Sequence, residues 1–271
     1  MTALRLLRRE LRDSLRNYWF AVSSGVLVVG GLLLMLFGQP DQAILGYRGF
    51  ARALAGLMQL ALFVVPLLAL FPAVSALAGE RELGTLDYLL AQPVTRDEVF
   101  AGKWTGVGAA VGLAVLAGFG ATGMVAVVRG VPPVMVAVLL GFTLLLGICF
   151  VSLGIWISSL LSTRARATSA GLTVWLFFLA MGSLGLAGAF VGWGVPATAL
   201  EVWAFVNPVE AYRLASIAVL DPGVSVLGPV GADLLERLGR GTLIGVALAS
   251  LVAWTGLGYW AGRRAFAAPV R

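Results

Sequence analysis

The chain has 271 residues, of which 60% are hydrophobic and only 12% charged, with a formal net charge of +6. Soluble domains carry roughly 25% charged residues, so a soluble fold of this size could not cover its surface, and the mean hydropathy of +0.96 points to a membrane. There is no histidine, which excludes His-based metal sites, His proton relays and Ser–His or Cys–His catalysis.

The first sixteen residues place Leu4, Leu7, Leu11 and Leu15 on one helical face, with Arg5, Arg8, Arg9, Arg12 and Arg16 around the rest. Such a segment is expected to lie in the membrane interface, with its arginines on anionic lipid headgroups. The first apolar stretch, 18–37, starts too far in and runs too long for a cleaved signal peptide. Five more stretches follow, and spans are expected at 18–37, 56–78, 104–128, 134–159, 168–190 and 242–262. Each holds about 20 residues or more, enough for roughly 30 Å of hydrocarbon. The expected fold is an all-α membrane protein with six transmembrane helices: an interfacial helix over 1–17, then one six-span domain over 18–271.

Thirteen of the nineteen Lys and Arg residues fall in 1–17, 79–103, 160–167 and 263–271. The remaining six fall in the longer opposite set, 38–55, 129–133 and 191–241. The positive-inside rule then puts both termini in the cytoplasm of a multi-pass inner-membrane protein. A basic chain of this kind is oriented by its arginines rather than bound to nucleic acid.

The second span carries Met58 and Gln59, then Pro66 and Pro72, which mark it as polar-flecked and kinked. Either it lines a pathway, or neighbouring helices satisfy the carbonyls its prolines free. After it the chain turns abruptly charged: Glu80-Arg81-Glu82-Leu83-Gly84-Thr85-Leu86-Asp87. Leu83, Leu86, Leu89 and Leu90 predict a short amphipathic helix that stops before Pro93. Thr95 and Glu98 form a Thr-x-x-Glu capping box, so a new helix starts there and runs through Lys103 and Trp104. A simple hairpin needs only a few residues. The added length and the acidic, leucine-backed face suggest a docking surface over 79–98, with Glu80, Glu82 and Asp87 offering carboxylates. Leu83, Leu86 and Leu90 would hold the helix to the bundle or fill a partner's groove.

Small-xxx-small patterns such as Gly102/Gly106 and Gly118/Thr122 permit close helix packing. Cys149 sits inside an apolar run and is expected to be a buried thiol. Ser152 and Ser158 have no base on a neighbouring turn, and no catalytic or metal site is expected. No ionisable residue lies near the middle of any drawn span, where ion-coupled transporters usually place them. In the connection 191–241, Pro208 opens a helix carrying Glu210, Tyr212 and Arg213. Asp221-Pro222-Gly223 makes a turn, and a short helix covers Ala232 to Arg240. Small helices on, or dipping into, the outer leaflet are expected there.

The run Glu80-Arg81-Glu82-Leu83-Gly84-Thr85, then Pro93-Val94-Thr95-Arg96 and Lys103, resembles the loop after the second span of type-2 ABC exporter permeases. Arg12-Asp13-Ser14-Leu15-Arg16-Asn17 resembles that family's elbow helix. Asn207-Pro208 through Tyr212-Arg213 resembles the segment before its last span, and Arg263-Arg264 the basic stop after it. The start and the Asn-Pro segment are most similar to membrane subunits of transporters that mature nitrous oxide reductase. At Arg81-Glu82 the chain departs from those subunits, which carry two acidic residues.

The resemblance implies a coupling helix comprising Glu80, Arg81, Glu82, Leu83, Gly84, Thr85, Leu86 and Asp87. It implies a homodimer paired with two copies of a separate ATP-binding-cassette ATPase that holds the ATP and Mg, and it leaves room for an extracytoplasmic partner. No Gly-x-x-x-x-Gly-Lys-Ser/Thr loop occurs in this chain, so it would be the permease half and no cofactor is expected in it. The second and fifth spans would line the route, with Met58, Gln59, Pro66 and Thr173 on the path. A stand-alone secondary transporter or channel, and a membrane scaffold that docks a soluble partner, are the alternatives.

Overall fold

The computed structural model describes residues 12, 16, 18–37, 50–182, 197–220 and 234–268. Nine helices carry the described fold: α1 (Tyr18–Phe37), α2 (Phe50–Glu82), α3 (Thr85–Leu90), α4 (Arg96–Val128), α5 (Pro133–Leu160), α6 (Arg164–Ala180), α7 (Ala197–Val206), α8 (Pro208–Leu220) and α9 (Arg240–Ala267). Among the described residues, α1, α2, α4, α5 and α9 are long and apolar enough to cross a membrane. The expected fifth span, 168–190, begins in α6, which spans 17 residues; positions 183–190 lie outside the described residues. The elbow expected over 1–17 lies outside them too, apart from Arg12 and Arg16.

Several expected boundaries were too short. The second span, drawn over 56–78, belongs to a helix running from Phe50 to Glu82. The third, drawn from 104, begins at Arg96, on the Thr95–Glu98 capping box. Hydropathy marks where the apolar stretch ends, whereas a helix continues wherever its polar turns find partners. Residues 234–238 form one more helical turn, and the break before α9 is Gly239 (φ 72°). The helix expected from Ala232 to Arg240 is therefore a short turn followed by the start of α9.

Helix α5 is the hub, packing against α2, α4, α6, α8 and α9. Without a hydrophobic drive between helices in lipid, close van der Waals packing decides which faces meet. A Cβ at Gly154 of α5 would lie 2.6 Å from Cβ of Ala73 on α2. On α9, a Cβ at Gly258 would sit 2.9 Å from the Ser152 carbonyl carbon, and one at Gly262 3.1 Å from Cα of Trp156. The Gly118/Thr122 seam of α4 meets Leu27 and Gly31 of α1 in the same way.

Outward faces carry Val26, Val29 and Leu33 of α1, Leu113 and Met124 of α4, and Val252 and Leu257 of α9, all well exposed. Such a continuous apolar surface is foreign to a soluble monomer and ordinary for a chain seated in lipid.

Helix α8 is the largest departure from the sequence reading. Of its 13 residues, 11 are buried, and it packs against α2, α5, α6, α7 and α9. It is core, which rules out a helix lying on the outer leaflet but not one dipping into it. Asn207, Glu210, Tyr212 and Arg213 find partners inside the bundle. Asn207 Oδ1 accepts from the N–H of Val209 (3.0 Å) and of Glu210 (3.4 Å), capping the helix, while its Nδ2 donates to the Phe178 carbonyl (2.7 Å). Glu210 pairs with Arg213, and the Tyr212 and Thr143 hydroxyls lie 3.1 Å apart.

Candidate functional site

The connection between α2 and α4 holds most of the residues singled out in the sequence. Helix α2 ends because Gly84 takes the left-handed conformation (φ 69°), which glycine alone adopts without cost. The Leu83 N–H then bonds the Gly79 carbonyl (3.2 Å) and the Gly84 N–H that of Arg81 (3.1 Å). At the next residue α3 starts, with the Thr85 hydroxyl on the Glu80 carbonyl (3.3 Å). Leu86 and Leu89 are the buried side of α3. Leu83 (77% exposed) and Tyr88 (76% exposed) stand on its outer side, with Gly84, Thr85 and Asp87 also exposed.

The three charges at the end of α2 reach to neighbouring helices instead of forming one outward acidic face. Glu80 Oε1 lies 2.9 Å from Lys103 Nζ on α4, and that ammonium is 1% exposed. Arg81 Nη1 donates to the carbonyls of Ser158 (3.2 Å), Ser159 (2.8 Å) and Leu161 (3.0 Å). Glu82 Oε2 accepts from the Arg164 N–H (2.8 Å). Each is thus tied to a different helix: α4, the end of α5, and the start of α6.

Ser158 adds a fourth tie. Its hydroxyl donates to the Val74 carbonyl (2.7 Å) and accepts from the N–H groups of Leu77 (3.0 Å) and Ala78 (2.9 Å). A side chain thereby enters the backbone ladder of α2 just before its charged end.

The far side of the connection is held as firmly. The Thr95 N–H donates to Glu98 Oε2 (2.8 Å) and the Thr95 Oγ1 accepts from the Glu98 N–H (3.2 Å). Arg96 Nη1 donates to the Phe266 carbonyl (3.1 Å), and Asp97 takes Arg263 bidentately (2.8 Å twice). Phe266, buried, has the guanidinium groups of Arg81 and Arg96 each 6.0 Å from its ring centre. The end of α9 is thereby latched onto the start of α4.

The four expected path residues divide between the interior and the outside of the bundle. Met58 and Pro66 are buried, whereas Gln59 and Thr173 are exposed, Thr173 with its hydroxyl on the Ser169 carbonyl (2.9 Å). Tyr88 was passed over in the sequence, although its position beside Asp87, opposite Leu86 and Leu89, already put it on the polar side of α3. Among the described residues no cluster of metal-ligating side chains occurs, and Cys149 is buried.

Comparison with known proteins returned a match to the family described as "ABC-2 family transporter protein", over residues 4–266. A protein of Pseudomonas aeruginosa called "Probable ABC transporter permease protein NosY" is 32% identical over 267 residues, covering 95% of this chain and 92% of the relative. One of the same description from Stutzerimonas stutzeri is 33% identical over 239 residues, 84% of this chain and 87% of the relative.

Proposed function

Given that the chain belongs to the ABC-2 family and is a membrane permease subunit of an ABC transporter, we propose that it docks a separate ATPase on the connection between α2 and α4. Two ATPase copies serve a homodimer of this chain, and both termini face the cytoplasm. Transport is export by alternating access, with ATP and Mg bound on the ATPase.

The observation that supports this reading is the contrast inside 79–98. Leu83, Asp87 and Tyr88 are open to a partner, on a short helix whose flanks are tied to α4, α5, α6 and α9. Exposed aromatic and aliphatic side chains on a preorganised support suit a docking site. A stand-alone transporter has no use for such a rigid, outward-facing knuckle. In the homodimer, Gln59 and Thr173 contribute polar groups to the route between copies.

The test is co-expression with a candidate ATP-binding-cassette subunit, followed by purification and reconstitution. The two co-purify, hydrolysis requires the ATPase, and Tyr88→Arg strips the ATPase from the membrane subunit. Undiminished co-purification of Tyr88→Arg would sink the docking assignment.

A further inference from the structure

Arg81 and Glu82 are neighbours in sequence, yet they grip opposite ends of one turn. The turn 161–163 joins α5 to α6. Arg81 donates to three carbonyls where α5 ends, and Glu82 accepts from the first N–H of α6. The carbonyl end of a helix favours a cation and the N–H end an anion, so each charge sits where the helix dipole wants it. Thr163, the residue at the N-cap of α6, makes no side-chain cap of its own. The cap is supplied from α2, 82 residues earlier in the chain.

We infer that Arg81 and Glu82 are positioning residues of the coupling step: they carry displacement of the 83–95 connection into α5 and α6. The inference rests on that connection being the ATPase docking surface. A push on Leu83 and Tyr88 reaches the last turn of α2 directly, through a two-residue link. From there Glu82 pulls on the N-terminus of α6, and Arg81 holds the end of α5. The planar guanidinium, spread over three acceptors, resists sliding in a way that a lysine ammonium would not. The Ser158 hydroxyl ties α5 to α2 one turn earlier, so the turn and the end of α2 move as a body. Packed helices switch between discrete arrangements rather than deforming smoothly, and this joint determines that α6 switches together with the docking loop.

The experiment uses the full permease–ATPase complex in lipid nanodiscs with two thiol reporters. Ala91→Cys, exposed beside α3, reports docking by protection from a maleimide. Ser169→Cys, exposed on α6, reports movement of that helix between the nucleotide-free and the vanadate-trapped states. In the otherwise unaltered chain, the ATPase protects Ala91→Cys, and nucleotide changes the labelling rate of Ser169→Cys. Arg81→Ala and Glu82→Ala keep the Ala91→Cys protection and lose the Ser169→Cys response. Glu82→Gln, which retains an acceptor oxygen for the Arg164 N–H, restores it. Because Glu82 is exposed, Glu82→Ala carries the test alone should Arg81→Ala fail to fold. An undiminished Ser169→Cys response in Glu82→Ala, with Ala91→Cys still protected, overturns the inference. If the ATPase fails to protect Ala91→Cys in the unaltered chain, the docking reading itself falls, and the inference with it.

Discussion

The Lys103 ammonium is sealed inside the bundle and lies 2.9 Å from the Glu80 carboxylate, joining α2 to α4 at the base of the connecting loop. Removing one member of such a pair takes from the other the counter-ion seen here, which costs about 3–5 kcal/mol when both are fully buried. Glu80 keeps some exposure (17%), so the lower end of that range is expected for Lys103→Met. The double variant Glu80→Leu/Lys103→Met recovers most of the loss, because neither charge then faces the loss of the other. Thermal unfolding of the four forms in detergent checks the cycle. Additive losses would show that the two residues do not depend on each other.

Tyr88 and Leu83 are expected to dominate association with the ATPase. Truncating a well-packed interface aromatic typically costs about 2 kcal/mol or more, and about 1.4 kcal/mol is a factor of ten. Tyr88→Ala therefore weakens association by more than tenfold, measured by titrating the labelled ATPase onto the permease in nanodiscs. Glu236→Arg, at an exposed position after the α8 segment, serves as the control and leaves affinity unchanged.

At the latch between α4 and α9, the buried ring outweighs the exposed ion pair. Asp97 and Arg263 are each more than half exposed, and solvent screening leaves exposed pairs little net effect on stability. Asp97→Asn is thus nearly silent in thermal unfolding at moderate salt. Phe266→Ala costs about 3 kcal/mol or more, as buried phenylalanines do, and loosens both arginines above it. A larger loss in Asp97→Asn than in Phe266→Ala would reverse this ranking.

Glycines on α9 separate sharply by position. A Cβ at Gly258 meets the Ser152 backbone, whereas one at Gly245 meets nothing within 4 Å. Gly258→Leu is expected to cost about 1–3 kcal/mol through overpacking and to lower the yield of folded protein in detergent. Gly245→Leu leaves yield and melting temperature as they were. Equal behaviour of the two would argue against close packing of α9 on α5.

Reporter fusions test the orientation. The Lys and Arg asymmetry predicts that a fusion after Arg271 and one within 191–241 fall on opposite sides of the membrane. A same-side result removes the arrangement with both termini inside.

Much of this fold was legible because a membrane enforces long apolar helices. Helix α1 matches its expected bounds, and the Thr95–Glu98 box was visible as a four-residue pattern. Helix ends were less legible where charged residues extend them. Glu80, Arg81 and Glu82 look like a solvated acidic loop until their partners appear, and those partners lie from 23 to 82 residues away in the chain. Leu86 fits the predicted buried side of α3, while Leu83 falls outside the helix because Gly84 turns the backbone between them. Helix α8 was hardest to read. A segment with Glu210, Tyr212 and Arg213 scores as interfacial by hydropathy, and only pairing within the bundle lets it sink.

The burial of α8 also fixes an order of assembly. It packs against α2, made long before it, and against α9, made after it. During synthesis α8 therefore leaves the ribosome before one wall of its pocket exists. The Glu210–Arg213 pair neutralises the segment within its own first two turns, which suits it to waiting at the membrane surface. Closure of this bundle is completed from its last helix, so a chain stopped before Arg240 would hold α8 in a pocket open on one side.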